Sequence, residues 1–173
     1  MLFRSDFTDK VVSRAKAAKV GFDKNKEITT GPVIDKRAFE NIKMLIDDAV
    51  TNGAKLLVGG DRPSYLKQGY YIAPTVLSDV TETMQVYLQE TFGPIISLIT
   101  FSEETMLLKM ANDCDEGGLT AYVFTSDQTR AEYYASKLRY GEIQINGVKY
   151  DIDLPHGGIG QSGIGHDCSS LAL

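Results

Sequence analysis

Helix-like and strand-like patterns alternate along the 173 residues of this chain. Segments of about 10–15 residues carry apolar side chains at spacings of three and four, and short runs rich in valine, isoleucine and leucine follow them. Strands separated by helices of this length are typical of βαβ units, in which the strands run parallel and the helices cover the sheet. The order of the patterns therefore predicts an α/β fold with a mostly parallel sheet and flanking helices.

Two helices are predicted in the first third of the chain. The first spans residues 6–20, where Phe7, Val11 and Ala15 form one apolar stripe. The second begins after Asp35, whose side chain can accept hydrogen bonds from the first helical turn, and it ends at an Asn-Gly pair. Its inward face is predicted to hold Phe39, Ile42, Ile46, Ala49 and Val50.

Five short strands are predicted from runs of apolar and β-branched residues. The run at 95–101 is the most apolar and is expected to be buried, whereas Pro74 places the second run at an edge or a bulge. Ligands of parallel sheets bind outside the carboxyl ends of the strands, so the loops after Phe101, Thr125 and Asn146 are candidate site loops. The predicted strands are 55–58, 70–77, 95–101, 119–125 and 142–146.

Two further helices are predicted between the later strands. Ser102 is expected to cap the first of them, with Glu103 and Glu104 near its positive dipole end. Ser126 and Asp127 are expected to open the second. The inward faces are predicted to hold Leu107, Leu108 and Ala111 in the first helix and Ala131, Tyr134, Ala135 and Leu138 in the second.

Length and composition limit the class of protein. The length fits one domain, with an α/β core over 1–147 and a glycine-rich loop plus C-terminal segment over 148–173. The net charge of −5 argues against nucleic acid as a partner, because binding phosphates needs a basic surface. The N-terminal residues lack the apolar segment of a signal peptide, and no apolar run approaches the ~20 residues that cross a bilayer. We therefore expect a soluble, cytoplasmic protein with no membrane partner.

The segment 89–94, Gln-Glu-Thr-Phe-Gly-Pro, interrupts the alternation just before the most apolar strand. Its Gly-Pro step fixes a turn, Glu90 supplies a carboxylate that can accept hydrogen bonds from a ribose diol, and Phe92 supplies a flat face that can stack on a nicotinamide ring. Such a short motif also fits a solvated glutamate beside a turn, with Phe92 in the core. Both interpretations stay open from the residues alone.

A second candidate is the segment 156–166, which holds five glycines in eleven residues. Glycine lets a backbone approach a ligand closely or turn through positive φ. The spacing fits neither the dinucleotide-binding fingerprint nor a phosphate-binding P-loop. A ligand-contacting loop and a plain surface loop are therefore both compatible with the pattern.

Most of the residues that could bind a metal ion or attack a substrate lie in this segment or directly after it, and Cys114 lies apart from them. His166, Asp167 and Cys168 are consecutive and cannot all turn toward one ion, even with His156 nearby, so no metal site is predicted. Cys168 lies close to the C-terminus, where chains fray. Cys114 lies among three carboxylates, which disfavour the thiolate. We predict that both cysteines are unreactive and form no disulfide framework.

Seven short motifs follow one another in a fixed order. They are GPVI at 31–34, GAK at 53–55 with GG at 59–60, GYYIAPTVL at 69–77, ETFGP at 90–94, AN at 111–112 with GLTA at 118–121, GE at 141–142 with Asn146, and GG at 157–158 with SGIG at 162–165. Together they resemble the aldehyde dehydrogenase superfamily, from about residue 5 to the end of the chain. Within that superfamily the chain looks closest to the lactaldehyde and semialdehyde branch.

The resemblance implies the later part of an aldehyde dehydrogenase catalytic domain, truncated at both ends. Members of the family oxidise aldehydes to carboxylic acids with NAD⁺ or NADP⁺, using a cysteine thiolate and a glutamate-activated water. The resemblance places that cysteine, the general-base glutamate and the Rossmann-like cofactor domain upstream of residue 1. We therefore expect no catalytic residue in this chain, no activity of the chain alone, and no tight binding of NAD or NADP.

The resemblance also assigns individual residues. It implies that Glu90 bonds the nicotinamide ribose, that Phe92 lies beside it, and that Asn146 ends the last strand of the catalytic domain. It implies that the glycine-rich loop, with His156 and Asp167, lines the aldehyde entrance. The chain departs from the common family residues at Ala38, Asn41, His156, Gly160 and His166.

The resemblance places two strands of the sheet before residue 1, and this affects which partners we expect. A sheet that lacks two strands exposes an open edge, so we expect self-association, or assembly with a separate chain that carries the N-terminal half. The alternative function is a non-catalytic α/β assembly module or a subunit of a split enzyme.

Overall fold

The structure is a computed structural model that describes residues 2–22, 27–113, 117–149 and 151–170. The chain divides into two compact units, Met1–Thr100 and Phe101–Leu173. The division at residue 147 that the sequence suggests stays a prediction. Within the described ranges, no helix is long and apolar enough to cross a membrane.

The first unit begins with α1 (Leu2–Ala17) and α2 (Lys36–Thr51). Asp35 caps α2 as predicted, because its Oδ1 accepts a hydrogen bond from the Ala38 N–H at 2.7 Å. The prediction that Val50 faces inward is wrong, since this side chain is 43% exposed. The side chains that α2 buries are Ile42, Leu45, Ile46 and Ala49.

Helix α1 differs from α2, because none of its described side chains is buried. Phe7, at the head of the predicted stripe, is 51% exposed, and Val11 and Ala15 are only partly buried. The spacing predicts the helix correctly, and the apolar stripe that it indicates is not buried in a core. A periodic pattern indicates which face of a helix is apolar. It does not indicate whether another element packs against that face.

The sheet of the first unit contains β1 (Lys55–Val58), β2 (Thr75–Ser78) and β3 (Ile95–Leu98). Strand β1 runs antiparallel to β2 with a bulge near its end, and β2 runs parallel to β3. The prediction of a buried strand over 95–101 is wrong, because β3 ends at Leu98 and Ile96 is 47% exposed. The edge position suggested by Pro74 is also wrong, because β2 lies between β1 and β3. A short helix that the sequence did not predict, α3 (Gln85–Leu88), lies between β2 and β3. The main buried cluster consists of Ala49, Ala54, Leu77, Val80, Met84 and Val86.

The predicted strand over 70–77 is wrong for its first half. The carbonyl of Tyr70 accepts a hydrogen bond from the Val33 N–H at 2.8 Å, and the Ala73 N–H donates to the Asp61 carbonyl at 2.9 Å. These groups therefore pair with loops and not with a neighbouring strand. Pro74 has no N–H to donate, so the ladder begins only after it.

The second unit contains α4 (Glu104–Asn112), β4 (Thr120–Val123), α5 (Gln128–Lys137) and β5 (Glu142–Ile145). Strands β4 and β5 run parallel, and α5 connects them. This arrangement is the predicted βαβ unit, since parallel neighbours need a crossover connection. A 3₁₀ turn, Gly160–Ser162, follows in the glycine-rich segment.

One of the two predicted caps in this unit is confirmed. Asp127 caps α5, because its Oδ1 accepts a hydrogen bond from the Arg130 N–H at 3.1 Å. The prediction of Ser102 as the cap of α4 is wrong, since the extended residue before that helix is Glu103 and its side chain makes no capping bond. Helix α5 buries Ala131 and Tyr134 as predicted, whereas α4 buries Met110 in place of Leu107, Leu108 and Ala111.

Candidate functional site

The turn between α3 and β3 presents Phe92 to the solvent. Phe92 has φ +44°, a left-handed backbone that non-glycine residues rarely adopt, and its side chain is 80% exposed. The alternative that Phe92 belongs to the core is therefore wrong. Glu90 lies two residues earlier on the same turn and is also exposed. The structure thus brings Glu90 and Phe92 together on one exposed turn of the first unit.

Glycine and backbone hydrogen bonds fix this turn against the unit. A Cβ on Gly93 would lie 2.4 Å from the Cδ1 atom of Ile42, so only glycine lets the turn approach α2 this closely. The Pro94 carbonyl accepts a hydrogen bond from the Thr75 N–H at 2.8 Å, which joins the turn to the start of β2. Phe92 is therefore held in place by its neighbours and not by burial of its own ring.

Asn146 joins the carboxyl ends of β4 and β5 in the second unit. Its Oδ1 accepts a hydrogen bond from the Thr125 N–H and its Nδ2 donates to the Thr125 carbonyl, both at 2.8 Å. Its own N–H donates to the Val123 carbonyl at 2.8 Å, and its φ is +53°. The amide of Asn146 is thus committed to the backbone of the neighbouring strand. It fixes the loop after β4 at the edge where parallel sheets bind ligands.

His156 and Asp167 close the glycine-rich loop. The His156 N–H donates to the Asp167 carbonyl at 2.8 Å, and the Asp167 N–H donates to the His156 carbonyl at 2.7 Å. A Cβ on Gly141 would lie 1.7 Å from the Gly157 carbonyl oxygen, and a Cβ on Gly118 would lie 2.3 Å from that of Ile159. Close packing of the loop on the turns that precede β4 and β5 therefore requires these glycines.

The side chain of His156 pairs with Glu142, which the sequence did not single out. The His156 Nδ1 atom lies 3.0 Å from Glu142 Oε2, and both side chains are partly buried. Glu142 Oε1 accepts a hydrogen bond from Gln144 Nε2 at 2.5 Å, and the Gln144 amide in turn bonds the backbone of Lys149. Nothing in the spacing of these residues indicates that strand β5 and the loop share a polar network.

An open depression of about 380 Å³ lies beside the loop. Leu119, the loop glycines and the side chains of His156, His166 and Asp167 line it. Near the network, Asp151 raises the pKa of Lys149 through a hydrogen bond at 2.8 Å, and Lys149 lowers the pKa of Asp151.

The metal and cysteine predictions concern the same segment. Among the described residues, no group of three histidine, cysteine, aspartate or glutamate side chains is arranged to hold a metal ion. Cys168 is partly buried, has φ +58° and directly follows Asp167. Cys114 lies outside the described residues. The unreactive character of both cysteines stays a prediction.

Solved structures with this fold are aldehyde dehydrogenases. An NAD⁺ complex of the aldehyde dehydrogenase from Bacillus cereus matches with a TM-score of 0.90 and 33% identity, over 98% of this chain and 34% of that one. The succinate-semialdehyde dehydrogenase from Burkholderia pseudomallei matches with a TM-score of 0.89 and 36% identity, over 96% of this chain and 34% of that one. The structure therefore has the α/β fold of part of an aldehyde dehydrogenase.

Sequence comparison gives the family directly. The profile of the aldehyde dehydrogenase family matches residues 3–173. The chloroplastic betaine aldehyde dehydrogenase of Beta vulgaris is 37% identical over 170 residues, which is 98% of this chain and 34% of that protein. The chain belongs to the aldehyde dehydrogenase family and spans about a third of the length of the curated relatives it matches. The predicted family and fold are confirmed, and the branch within the family stays a prediction.

Proposed function

We propose that the chain supplies part of the site of an NAD(P)⁺-dependent dehydrogenase that oxidises an aldehyde to a carboxylic acid. In this proposal Glu90 and Phe92 face the nicotinamide half of the cofactor, and Asn146, His156 and Asp167 belong to the aldehyde side. When bound, the nicotinamide accepts hydride from the aldehyde carbon. The observation that carries the proposal is the exposed, left-handed Phe92.

Folding alone does not favour the conformation of Phe92. A left-handed backbone costs a non-glycine residue about 1–3 kcal/mol, and an 80% exposed ring recovers little of that cost by burial. Strain of this kind persists where the surroundings over-determine it and is concentrated at ligand sites. An aromatic ring held away from the core offers its face to a planar ligand, which supports a place beside the nicotinamide.

Glu90 fits the ribose next to that ring. Its exposed carboxylate can accept two hydrogen bonds from a diol, and bonds to an ionised acceptor are stronger than neutral ones. Glu90 and Phe92 would contact only the nicotinamide half. The resemblance to the family implies a glutamine and a lysine for the adenine ribose at the positions of Ala38 and Asn41. These features together support weak cofactor binding by the chain alone.

In this proposal the residues on the aldehyde side hold the loops of the site in place. Both the oxygen and the nitrogen of the Asn146 side-chain amide are hydrogen-bonded to the backbone of Thr125. The proposed role of Asn146 is therefore to hold the strand ends and not to contact the substrate. His156 and Asp167 border the depression beside the glycine-rich loop, and Glu142 orients the imidazole of His156. The resemblance to the family implies that phenylalanine is common at the position of His156, so a polar pair at this wall is a feature of this chain.

The nucleophile is proposed to come from elsewhere in the assembled enzyme. A reactive cysteine needs cationic neighbours or a helix N-terminus that stabilise its thiolate. Cys168 follows the carboxylate Asp167, and Cys114 lies between Asp113 and Asp115. In this proposal neither cysteine serves as the nucleophile.

Calorimetric titration with NAD⁺ tests the cofactor assignment. We expect little or no heat from the chain alone, and binding when a polypeptide carrying the remaining part of a family member is added. In that complex Glu90→Gln is expected to weaken NAD⁺ binding by about 1–3 kcal/mol, the cost of a lost charged hydrogen bond. The control Glu103→Gln removes an exposed carboxylate from the second unit and is expected to change nothing. A micromolar or tighter dissociation constant for the chain alone, or equal binding by Glu90→Gln, contradicts the assignment.

An assembly module is the second candidate, and the sheet of the second unit favours it. Parallel strands are normally covered on both faces, and two-stranded sheets are marginal in water. Tyr122 and Ile145 on β4 and β5 are exposed, and so is Phe124, which follows β4. We propose that a second copy, or a chain carrying the N-terminal half, covers these residues.

A further inference from the structure

Helix α1 lies on the sheet of the first unit with little apolar packing. None of its described side chains is buried, although the helix is 16 residues long. Phe7 is 51% exposed because it faces a cavity of about 440 Å³ between the first turns of α1 and the sheet. The sheet side of the cavity is lined by Leu57 and Leu98, among others. Since most helical stability in proteins comes from a packed apolar face, α1 lacks the usual source of attachment.

Ion pairs supply the attachment that apolar packing does not. Asp79 Oδ1 lies 2.6 Å from Arg4 Nη2 on α1, and Asp79 Oδ2 lies 3.0 Å from Lys55 Nζ on β1. Asp79 directly follows β2 and has φ +56°. It is followed by Val80, which is almost fully buried, so the sheet side of this triad is fixed. The carboxylate therefore connects a loosely packed helix to a rigid strand.

The chain is anchored directly after α1. The Lys19 carbonyl accepts hydrogen bonds from the N–H groups of Thr29 and Thr30 at 2.9 and 3.2 Å, and the carbonyl of the buried Val20 accepts one from the Tyr65 hydroxyl at 3.0 Å. Movement of α1 therefore takes place about Ala18, between the end of the helix and this anchor. Release of α1 from the sheet needs no change in α2, because the anchor stays in place.

We propose that α1 is a displaceable helix and that the Arg4–Asp79–Lys55 triad is the latch that holds it over the cavity. With the latch closed, α1 covers one face of the sheet in the first unit. With the carboxylate neutralised or screened, α1 separates while the rest of the unit stays folded. Local opening of this kind is expected where buried apolar contacts are few.

The charges around Asp79 define the conditions that open the latch. Hydrogen bonds from Lys55 and then from Arg4 hold the pKa of Asp79 below the ordinary value of an aspartate. Asp9, also on α1 and at the cavity, is the other charged group that lines it. Because the folded-state pKa is lowered, the contribution of Asp79 is present above the unfolded-state pKa and is lost as the pH falls through the folded-state value. High salt opens the latch at neutral pH, since the Debye length falls to about 3 Å at 1 M.

Hydrogen exchange of the 173-residue chain tests the latch. Asp79→Asn removes the charge and keeps a residue that tolerates a left-handed backbone. We expect the amides of α1 to exchange about two- to thirtyfold faster in this variant, the range that two exposed ion pairs allow, while those of α2 keep their rates. Arg4→Gln tests the helix side of the latch independently. Lys10→Gln is the matched control, because Lys10 is exposed in the middle of the same helix, away from both ends of its dipole. Arg4 lies near the positive end of the α1 dipole, so its removal does not weaken the helix itself.

A fluorescent reporter gives a second measurement. The chain has no tryptophan, so Phe7→Trp places a single indole at the cavity. We expect iodide to quench this indole more strongly after Asp79→Asn or in 1 M salt, with circular dichroism almost unchanged. The proposal is overturned if α1 exchanges at the wild-type rate in both latch variants, if Lys10→Gln has the same effect as Arg4→Gln, or if α1 and α2 accelerate together.

Discussion

Replacing Gly141 by alanine is predicted to detach the glycine-rich loop from the turn before β5. The added Cβ would lie 1.7 Å from the Gly157 carbonyl oxygen, 2.9 Å from its carbonyl carbon and 3.3 Å from the Gly158 Cα. Real Cβ atoms essentially never approach another atom within 3.0 Å. Because the obstructing atoms belong to the backbone, no side-chain rotation relieves the clash.

The structure gives the size of the effect. The Gly118 carbonyl accepts hydrogen bonds from the Gly141 N–H at 2.9 Å and from the Ile159 N–H at 3.1 Å. If the loop moves away, the hydrogen bond from the Ile159 N–H to the Gly118 carbonyl breaks, which lowers the free energy of unfolding by about 0.5–1.5 kcal/mol. Overpacking by the added methyl group lowers it by about 1–3 kcal/mol more. We therefore expect Gly141→Ala to lower the free energy of unfolding by about 2–4 kcal/mol.

Urea denaturation followed by circular dichroism measures this loss, and Gly147→Ala is the matched control. The nearest atom to a Cβ on Gly147 is 3.9 Å away, and its φ lies outside the left-handed range, so we expect a change within about 0.5 kcal/mol. The imidazole resonances of His156 should shift in Gly141→Ala alone, because its partner Glu142 adjoins the substituted residue. Equal unfolding free energies for the two alanine variants would refute the packing described for Gly141.

Three further predictions concern the strand ends, the assembly and the first helix. Asn146→Ala is expected to lower the free energy of unfolding in urea by about 0.5–1.5 kcal/mol for each lost bond, because the N–H and carbonyl of Thr125 exchange an exposed hydrogen bond for water; Asn146→Asp should retain part of this by keeping an acceptor for the N–H. Light scattering across a dilution series is expected to give a mass above the 19.0 kDa of one chain at tens of micromolar, and a steady 19.0 kDa would contradict self-association. In the Phe7→Trp variant, emission should move to the red as the pH falls below the ordinary pKa of an aspartate, with no such shift when Asp79→Asn is also present.

The sequence predicts helices and strands best where a residue interacts with its own neighbours along the chain. Asp35 and Asp127 were identified as caps because a carboxylate before a helix has N–H groups within reach. The predicted strand 142–146 agrees with β5 (Glu142–Ile145) to within one residue. The helix before the strand and the run of apolar residues mark where it begins and ends. Such elements depend on neighbours in the chain, which the sequence displays directly.

Other features depend on contacts that the sequence does not display. The stripe on α1 has the same periodicity as the face of α2, yet only the second is buried, since burial depends on what lies opposite. Phe92 is a candidate from the sequence, but its left-handed backbone and its exposure are visible only in the folded turn, where Gly93 packs on Ile42. Glu142 was missed because its partner His156 is fourteen residues away and is brought near only by the loop.

The assay of NADH formation with small aldehydes tests the central proposal most directly. We predict no turnover by the chain alone at high concentration, because covalent oxidation of an aldehyde needs an activated thiolate and the proposal assigns this role to neither Cys114 nor Cys168. Turnover should appear when a polypeptide carrying the remaining part of a family member is added, and Glu90→Gln should reduce it. Turnover by the chain alone that is abolished by alkylation of Cys114 or Cys168 would contradict the proposal.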